Sequence, residues 1–506
     1  MRQIHVFIMS AFAIALAEPS ARATSCDGIK ELNLPDTVIT SANIAGPLSS
    51  NDPMFGHFEV KTAFCRISGT IAPAIKFQVW LPPKIDWNGK LQGVGNGGVA
   101  GSIAEASLAA ALAHGYSAVS SNLGHDGNAI DFSFAIGHPE LVADWGHRAT
   151  HVMTVAAKAI VSAYYGAPPV KSYFVGCSGG GRQGLMEAQR YPADYDGIVA
   201  GDPTADFTRL TLGGRLWEAI STLKVPTAYI PANKIPAIAA ATLAACDALD
   251  GIKDGIIDDP RRCRFNPETI QCKAGDADEC LTIPQVNALR AIYAGATNSK
   301  GERIFPGYVA GGELGPAGWA SYVSGSAPKK SSQFLYADGF ARDMVMENPA
   351  YDSLSFDYNR DLPVAIAKLS KSIDATSPDL SDFRAQGGKM IQYHGWSDPG
   401  VSPRSSVEYY ARVTLQLGGD PSDFYRLFMV PGMQHCVGGP GPDHFDALAA
   451  LEEWVEHGKA PDRIIATHMT DGKVDRSRPL CPYPQVAHWT GSGSTDQAEN
   501  FICGAP

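Results

Sequence analysis

Short apolar runs alternate along this chain with longer stretches in which apolar positions recur every three to four residues. A run at 91–95 is followed by a helical stretch at 104–113 and another run at 117–120. The same alternation continues with a helical stretch at 149–165, a run at 171–176 and a helical stretch at 179–191 that Pro192 ends. Buried runs separated by helix-length segments predict strands of a parallel sheet joined by crossover helices, an α/β protein. Ser178 falls between a run and a helical stretch, which predicts a strand-to-helix turn. Across 204–380 the rhythm breaks into acidic loops, Gly- and Pro-rich turns and helical pieces such as 236–245. It resumes with runs at 388–394 and 423–430 and an amphipathic helix near 448–455. The expected organisation is one core, 24–203 with 381–506, carrying a large insertion at 204–380.

The first residues change the setting. Arg2 precedes an apolar run at 6–17, and Ala21-Arg22-Ala23 has the small-residue pattern of a cleavage site. The run is shorter than the roughly 20 residues a spanning helix needs, so 1–23 read as a removed signal peptide of an exported protein, secreted or periplasmic, with no membrane partner. All 10 cysteines lie beyond that site. An even count in an exported chain predicts disulfides, and no cysteine pair has the spacing of a zinc knuckle. The net charge of −11 and the lack of a dense Lys/Arg cluster argue against a nucleic-acid partner and leave a small molecule as the expected one.

The chemistry gathers at four places. Gly176-Cys177-Ser178-Gly179-Gly180 has the G-x-S-x-G spacing of a nucleophile elbow, in which small neighbours let the turn close on the serine. His435, just past the last run, is followed by Cys436, so a Cys177 to Cys436 bridge would hold Ser178 beside His435. The acid should stand between them in sequence, at the end of a later strand. Asp398 and Asp202 both qualify, and Asp398 is preferred because it lies one strand before the histidine, whereas Asp202, followed by Pro203, reads as a turn or cap residue. The oxyanion donors expected are the N–H of Gly179 and that of Gly97 or Gly98.

From Cys246 to Asp258, aspartates recur at spacings of three and four between glycines. So many carboxylates repel one another unless a hard cation such as calcium gathers them, although the spacing is not that of an EF-hand.

Residues 176–184 and 247–258, His394-Gly395-Trp396-Ser397-Asp398 and Gly432-Met433-Gln434-His435-Cys436 together resemble the tannase and feruloyl esterase family, which includes a hydrolase of mono(2-hydroxyethyl) terephthalate. The resemblance covers essentially the whole mature chain. It implies an α/β-hydrolase fold with the insertion at 204–380 as a lid before the catalytic acid, and the triad Ser178, Asp398 and His435. It further implies a structural calcium ion held by Asp247, Asp250 and Asp254 side chains and the Ile252 and Ile256 carbonyls. The remaining cysteines would pair as Cys26 with Cys65, Cys246 with Cys263, Cys272 with Cys280, and Cys481 with Cys503. The function it implies is a secreted serine esterase acting on hydroxycinnamoyl or galloyl esters. A terephthalate monoester hydrolase is an alternative within the family, and a catalytically silent binding protein is an alternative of another kind. In the lid, Trp319, Phe334 and Phe340 are candidates to pack on an aromatic acyl ring, and Arg342, Lys329 or Lys330 to meet a substrate carboxylate.

Overall fold

Nine strands form one mixed sheet in a computed structural model that describes residues 23–52, 56–315 and 317–506. Residues 1–22 of the expected signal peptide lie outside the described residues. In chain order the strands are β1 (Thr37–Ala45), β2 (Phe64–Ile71), β3 (Ile75–Leu81), β4 (Lys90–Val94), β5 (Ser117–Ser121), β6 (Lys171–Cys177), β7 (Gly197–Gly201), β8 (Lys389–Gly395) and β9 (Tyr425–Val430). Their order across the sheet is β1-β2-β3-β5-β4-β6-β7-β8-β9. The first three pair antiparallel, and from β5 to β9 every neighbour is parallel. Helices α1 (Glu105–Ala113), α2 (Ala149–Tyr165), α3 (Gly179–Arg190), α4 (Arg404–Leu417) and α5 (Ala447–His457) lie along the parallel part.

The central strands read as nearly unbroken apolar runs because both faces are covered. All five residues of β7 are buried. Tyr173, Val199, Ile391 and Phe428 pack with Leu451 and Trp454 of α5, while Phe174, Ile198, Met390 and Leu427 pack with Leu185 of α3 and Tyr409 of α4. Neighbours in sequence thus serve opposite cores, as a period of two requires.

Between β7 and β8 runs a long insert. It holds a small hairpin, Gly295–Thr297 with Arg303–Pro306, and an apolar cluster of its own around Ile230, Leu289, Ile292 and Trp319. Five disulfides join Cys26–Cys65, Cys177–Cys436, Cys246–Cys263, Cys272–Cys280 and Cys481–Cys503, the pairs that the resemblance implies. Among the described residues no helix is long and apolar enough to cross a membrane.

Candidate active site

The chain must pass from β6 into α3 within one residue, and Ser178 is that residue, at φ 62° and ψ −119°. Such a conformation is strained for a residue with a Cβ and costs on the order of 1–3 kcal/mol. The neighbours show why the turn can close. A Cβ on Gly176 would stand 2.7 Å from the backbone of Gly180, and one on Gly179 would stand 2.6 Å from the carbonyl oxygen of Gly98. The loop after β4 therefore presses directly on the start of α3, and Gly97 and Gly98 share a cavity wall with Ser178. The Cys177–Cys436 bridge, with Cα atoms 6.0 Å apart, ties this elbow to the loop after β9 that carries His435.

His435 turns its Nδ1 to Asp398 Oδ2 at 2.6 Å. The carboxyl of Asp398 also accepts the backbone N–H of Gly400 (2.7 Å) and Val401 (2.9 Å) on Oδ1. His394 Nε2 lies 3.2 Å from Oδ2. The tautomer of His394 follows from its surroundings: Gln392 Nε2 donates to Ser406 Oγ, whose hydroxyl is left to donate to His394 Nδ1 at 2.7 Å, so the ring proton sits on Nε2 and points at Asp398. Burial alone would raise the pKa of Asp398, but His435 and then His394 outweigh it and hold the group well below the usual carboxylate range.

Asp202 has the opposite fate. It is fully buried, its Oδ1 accepts the N–H of Gly395 at 2.9 Å and lies 3.7 Å from His394 Nε2. Burial first, opposed by His394 and reinforced by Asp398, pushes its pKa up to about 8 and favours the protonated form. The turn expected from Pro203 is present, since Asp202 has φ 35°, but this turn residue lies beneath the site and not on the surface. Two adjacent carboxyls are thus driven apart, and the anionic one is the one that meets His435.

Ser178 and His435 line a cavity of about 530 Å³. The sheet side supplies Gly97, Gly98 and Tyr393; the insert supplies Arg215, Tyr322, Gln333 and Tyr336. None of Trp319, Phe334, Phe340, Arg342, Lys329 or Lys330 is among its lining residues, which corrects the expectations that the three aromatics pack on an acyl ring and that one of the three cations meets a substrate carboxylate. Trp319 packs on Tyr293 in the insert's core, and Phe340 packs edge-on to Phe132 and Phe207. Phe334 is buried with Lys329 over its ring, and Arg342 is bound to Asp338 and Asp343. Aromatic density in sequence did not separate core from cavity wall. Arg215, in the π-helical turn Leu210–Leu216, follows two glycines and carried no periodic signal that would have singled it out.

Three groups of His, Cys, Asp and Glu ligand atoms lie within 4.8 Å of one another among the described residues: Cys177, Asp202 and Cys436; Asp202, His394 and Asp398; and His151, Glu187 and Asp194. The first holds a disulfide, and the second is the buried pair with its histidine. The loop from Asp247 to Asp258 is not among them. Its Asp247 carboxylate accepts the backbone N–H of Gly255 at 3.1 Å, and Asp254 takes Arg478 at 2.8 Å. Asp258 is nevertheless pushed up to about 7, by burial first and then by Asp250, Asp259 and Asp254. That surplus of carboxylates and the all-oxygen donor set fit a hard cation.

A family model described as Tannase and feruloyl esterase matches residues 59–504. An uncharacterised esterase of Xanthomonas campestris pv. campestris is 39% identical over 97% of this chain and 92% of its own. The mono(2-hydroxyethyl) terephthalate hydrolase of Piscinibacter sakaiensis is 34% identical over 96% of this chain and 93% of its own. Among solved structures, feruloyl esterase B from Aspergillus oryzae superimposes with a TM-score of 0.85 at 30% identity, covering 95% of this chain and 100% of that one. The fold is that of the α/β-hydrolases, and the chain belongs to the tannase and feruloyl esterase family as a carboxylic ester hydrolase.

Proposed function

We propose that the chain hydrolyses esters of aromatic carboxylic acids by acyl transfer to Ser178. The observation that carries this reading is the 2.6 Å contact of His435 with an anionic Asp398, bordering the cavity that Ser178 lines and tied to its elbow by a disulfide. With Nδ1 engaged by Asp398, His435 has Nε2 left to take the Ser178 proton as Oγ attacks the ester carbonyl. Negative charge gathers on the carbonyl oxygen, for which the N–H of Gly179 and of Gly97 or Gly98 are the proposed donors. His435 then protonates the departing alcohol, and water repeats the sequence on the acyl-enzyme to release the acid. Tyr322, Tyr336 and Tyr393 along the cavity wall support an aromatic acyl group.

A structural calcium ion belongs to the same proposal, with Asp247, Asp250 and Asp254 side chains and the Ile252 and Ile256 carbonyls as its holders. Bound there, it would neutralise the carboxylate surplus around Asp258. The five disulfides support an oxidising compartment, secreted or periplasmic. The test is a fluorophosphonate label mapped by peptide mass, alongside initial rates on methyl ferulate, methyl gallate and aliphatic esters. Modification of Ser178 and a preference for the aromatic acids are expected; labelling elsewhere, or faster aliphatic turnover, would overturn the reading.

A further inference from the structure

Arg215 is the one Arg or Lys among the residues lining the cavity that Ser178 and His435 share, and none of those residues is Asp or Glu. It is only 5% exposed. Its guanidinium lies 4.4 Å above the ring of Tyr336, and its Nε reaches the Gly400 carbonyl oxygen at a long 3.4 Å. Nη1, although buried, has no hydrogen-bond partner among the described residues. A guanidinium offers five N–H donors in a planar fork, and leaving a buried donor of that fork unmatched is costly unless an anion completes the site.

The charge is not neutralised from behind. Arg215 acts electrostatically on Glu218, three residues on in the same segment, yet no ion pair joins the two among the described residues. Glu218 is itself buried, with neither carboxylate oxygen hydrogen-bonded. Its burial, opposed only by Arg215, favours the protonated acid. Asp398, whose field reaches Tyr322 and Tyr308 as that of Arg215 does, is already engaged by two histidines and two backbone amides. Arg215 therefore presents an unspent positive charge to a cavity whose other lining residues include no carboxylate.

We propose that Arg215 is a carboxylate anchor, so that the favoured substrates are esters bearing a free carboxylate besides the scissile bond. A carboxylate matches the fork with two parallel charge-assisted bonds, and Tyr336 beneath the guanidinium keeps its plane fixed while the substrate binds. The carboxylate has two possible sources, the acyl ring or the alcohol, and the chemistry at Arg215 is the same for both. This deepens the reading of Ser178 as nucleophile and rests on it.

The experiment compares kcat/KM for two matched pairs: monomethyl terephthalate against dimethyl terephthalate, with the carboxylate on the acyl ring, and caffeoyl quinate against methyl caffeate, with the carboxylate on the alcohol. The wild-type protein should favour the charged member of one pair by about tenfold or more, and the pair concerned identifies the source. In Arg215→Gln that charged-to-neutral ratio should fall by about 30-fold or more, chiefly through KM, and Arg215→Lys should restore part of it. No charged preference in either pair, or a ratio that Arg215→Gln leaves unchanged because all rates fall together, overturns the anchor and leaves Arg215 as a structural partner of Glu218. If Arg215→Gln does not fold, binding of benzoate and of benzamide to the wild-type protein by calorimetry decides: the carboxylate should bind about tenfold tighter or better, and equal binding overturns the proposal. If no ester of either pair is hydrolysed, the Ser178 reading fails on its own, and the same calorimetry still judges Arg215.

Discussion

The sheet side of the cavity and the side contributed by the insert are held by different kinds of contact. At the end of β6, backbone meets backbone: Gly176 against Gly180, Gly179 against the Gly98 carbonyl, and a disulfide clamps the histidine loop to the elbow. A buried network running from Gln392 through Ser406 and His394 fixes Asp398. On the opposite wall, side chains do the work, with Arg215 over Tyr336 and Gln333 bonded to Tyr308 and the Pro399 carbonyl oxygen. Backbone contacts of this closeness admit almost no substitution, whereas a wall of side chains can change residue by residue without moving the chain. The difference teaches that reaction chemistry and substrate choice occupy separable parts of one cavity.

The largest expected effect breaks the sheet side alone. Ser178→Ala should lower kcat by on the order of 10⁵-fold while circular dichroism and the melting temperature stay close to wild type, because the elbow holds a small side chain without new contacts. Retained turnover would move the nucleophile elsewhere. Next, Asp398→Asn should cost about 10⁴-fold by upsetting the tautomer of His435, whereas Asp202→Asn, which replaces an already protonated acid, should cost no more than about tenfold. The reverse ranking would exchange their roles.

Removing the clamp sharpens the contrast further. In Cys177→Ala/Cys436→Ala the chain-entropy model predicts a loss of about 5 kcal/mol, and a misplacement of His435 by about 1 Å would slow the folded fraction by roughly 10²-fold. A folded double mutant with normal kcat would show that packing alone aligns the elbow and the histidine.

The insert should answer to different treatment. Chelator should lower the melting temperature and calcium restore it, the bound ion stabilising the fold by about 3 kcal/mol at a free concentration near 100 times Kd, without altering kcat of the protein that stays folded. No change with either reagent, and no metal on elemental analysis, would remove the cation from the acidic loop.

A smaller effect concerns acid. His125, in the loop after β5, is buried against Phe134 with ring centroids 3.7 Å apart, and burial brings its pKa down to about 4 from an ordinary 6.5. The native state then keeps the ring neutral while the unfolded chain takes up a proton below pH 6.5. Stability from this group is whole above that pH and is lost as the pH falls toward 4, by at most about 3 kcal/mol. His125→Phe should flatten that part of the denaturation profile, measured by urea midpoints across the same range, and an unchanged slope would assign the acid sensitivity to other groups.

Much of this was legible in the chain because the relevant signals are local. The alternation of apolar runs with helical stretches located the strands from β4 on, since a parallel strand covered on both faces has to be apolar at nearly every position. The glycines around Ser178 announced a turn too tight for side chains. Asp202 was legible as the second candidate for the acid and His394 only as part of the segment that ends in Asp398: what makes them part of the site is the pairing of β7 with β8, which sets the Gly395 N–H on Asp202 and His394 under Asp398. The insert escaped more completely. Whether an aromatic or an arginine there faces solvent, core or cavity depends on how the insert packs across the sheet, and composition is the same in all three cases. The sequence by itself determined the sheet rhythm and the elbow, because sterics between near neighbours leave one solution. Only the tertiary structure decided that Trp319 and Phe340 are core, that Asp202 is the protonated partner of Asp398, and that Arg215 faces Ser178's cavity, because burial and charge pairing arise between segments far apart in the chain.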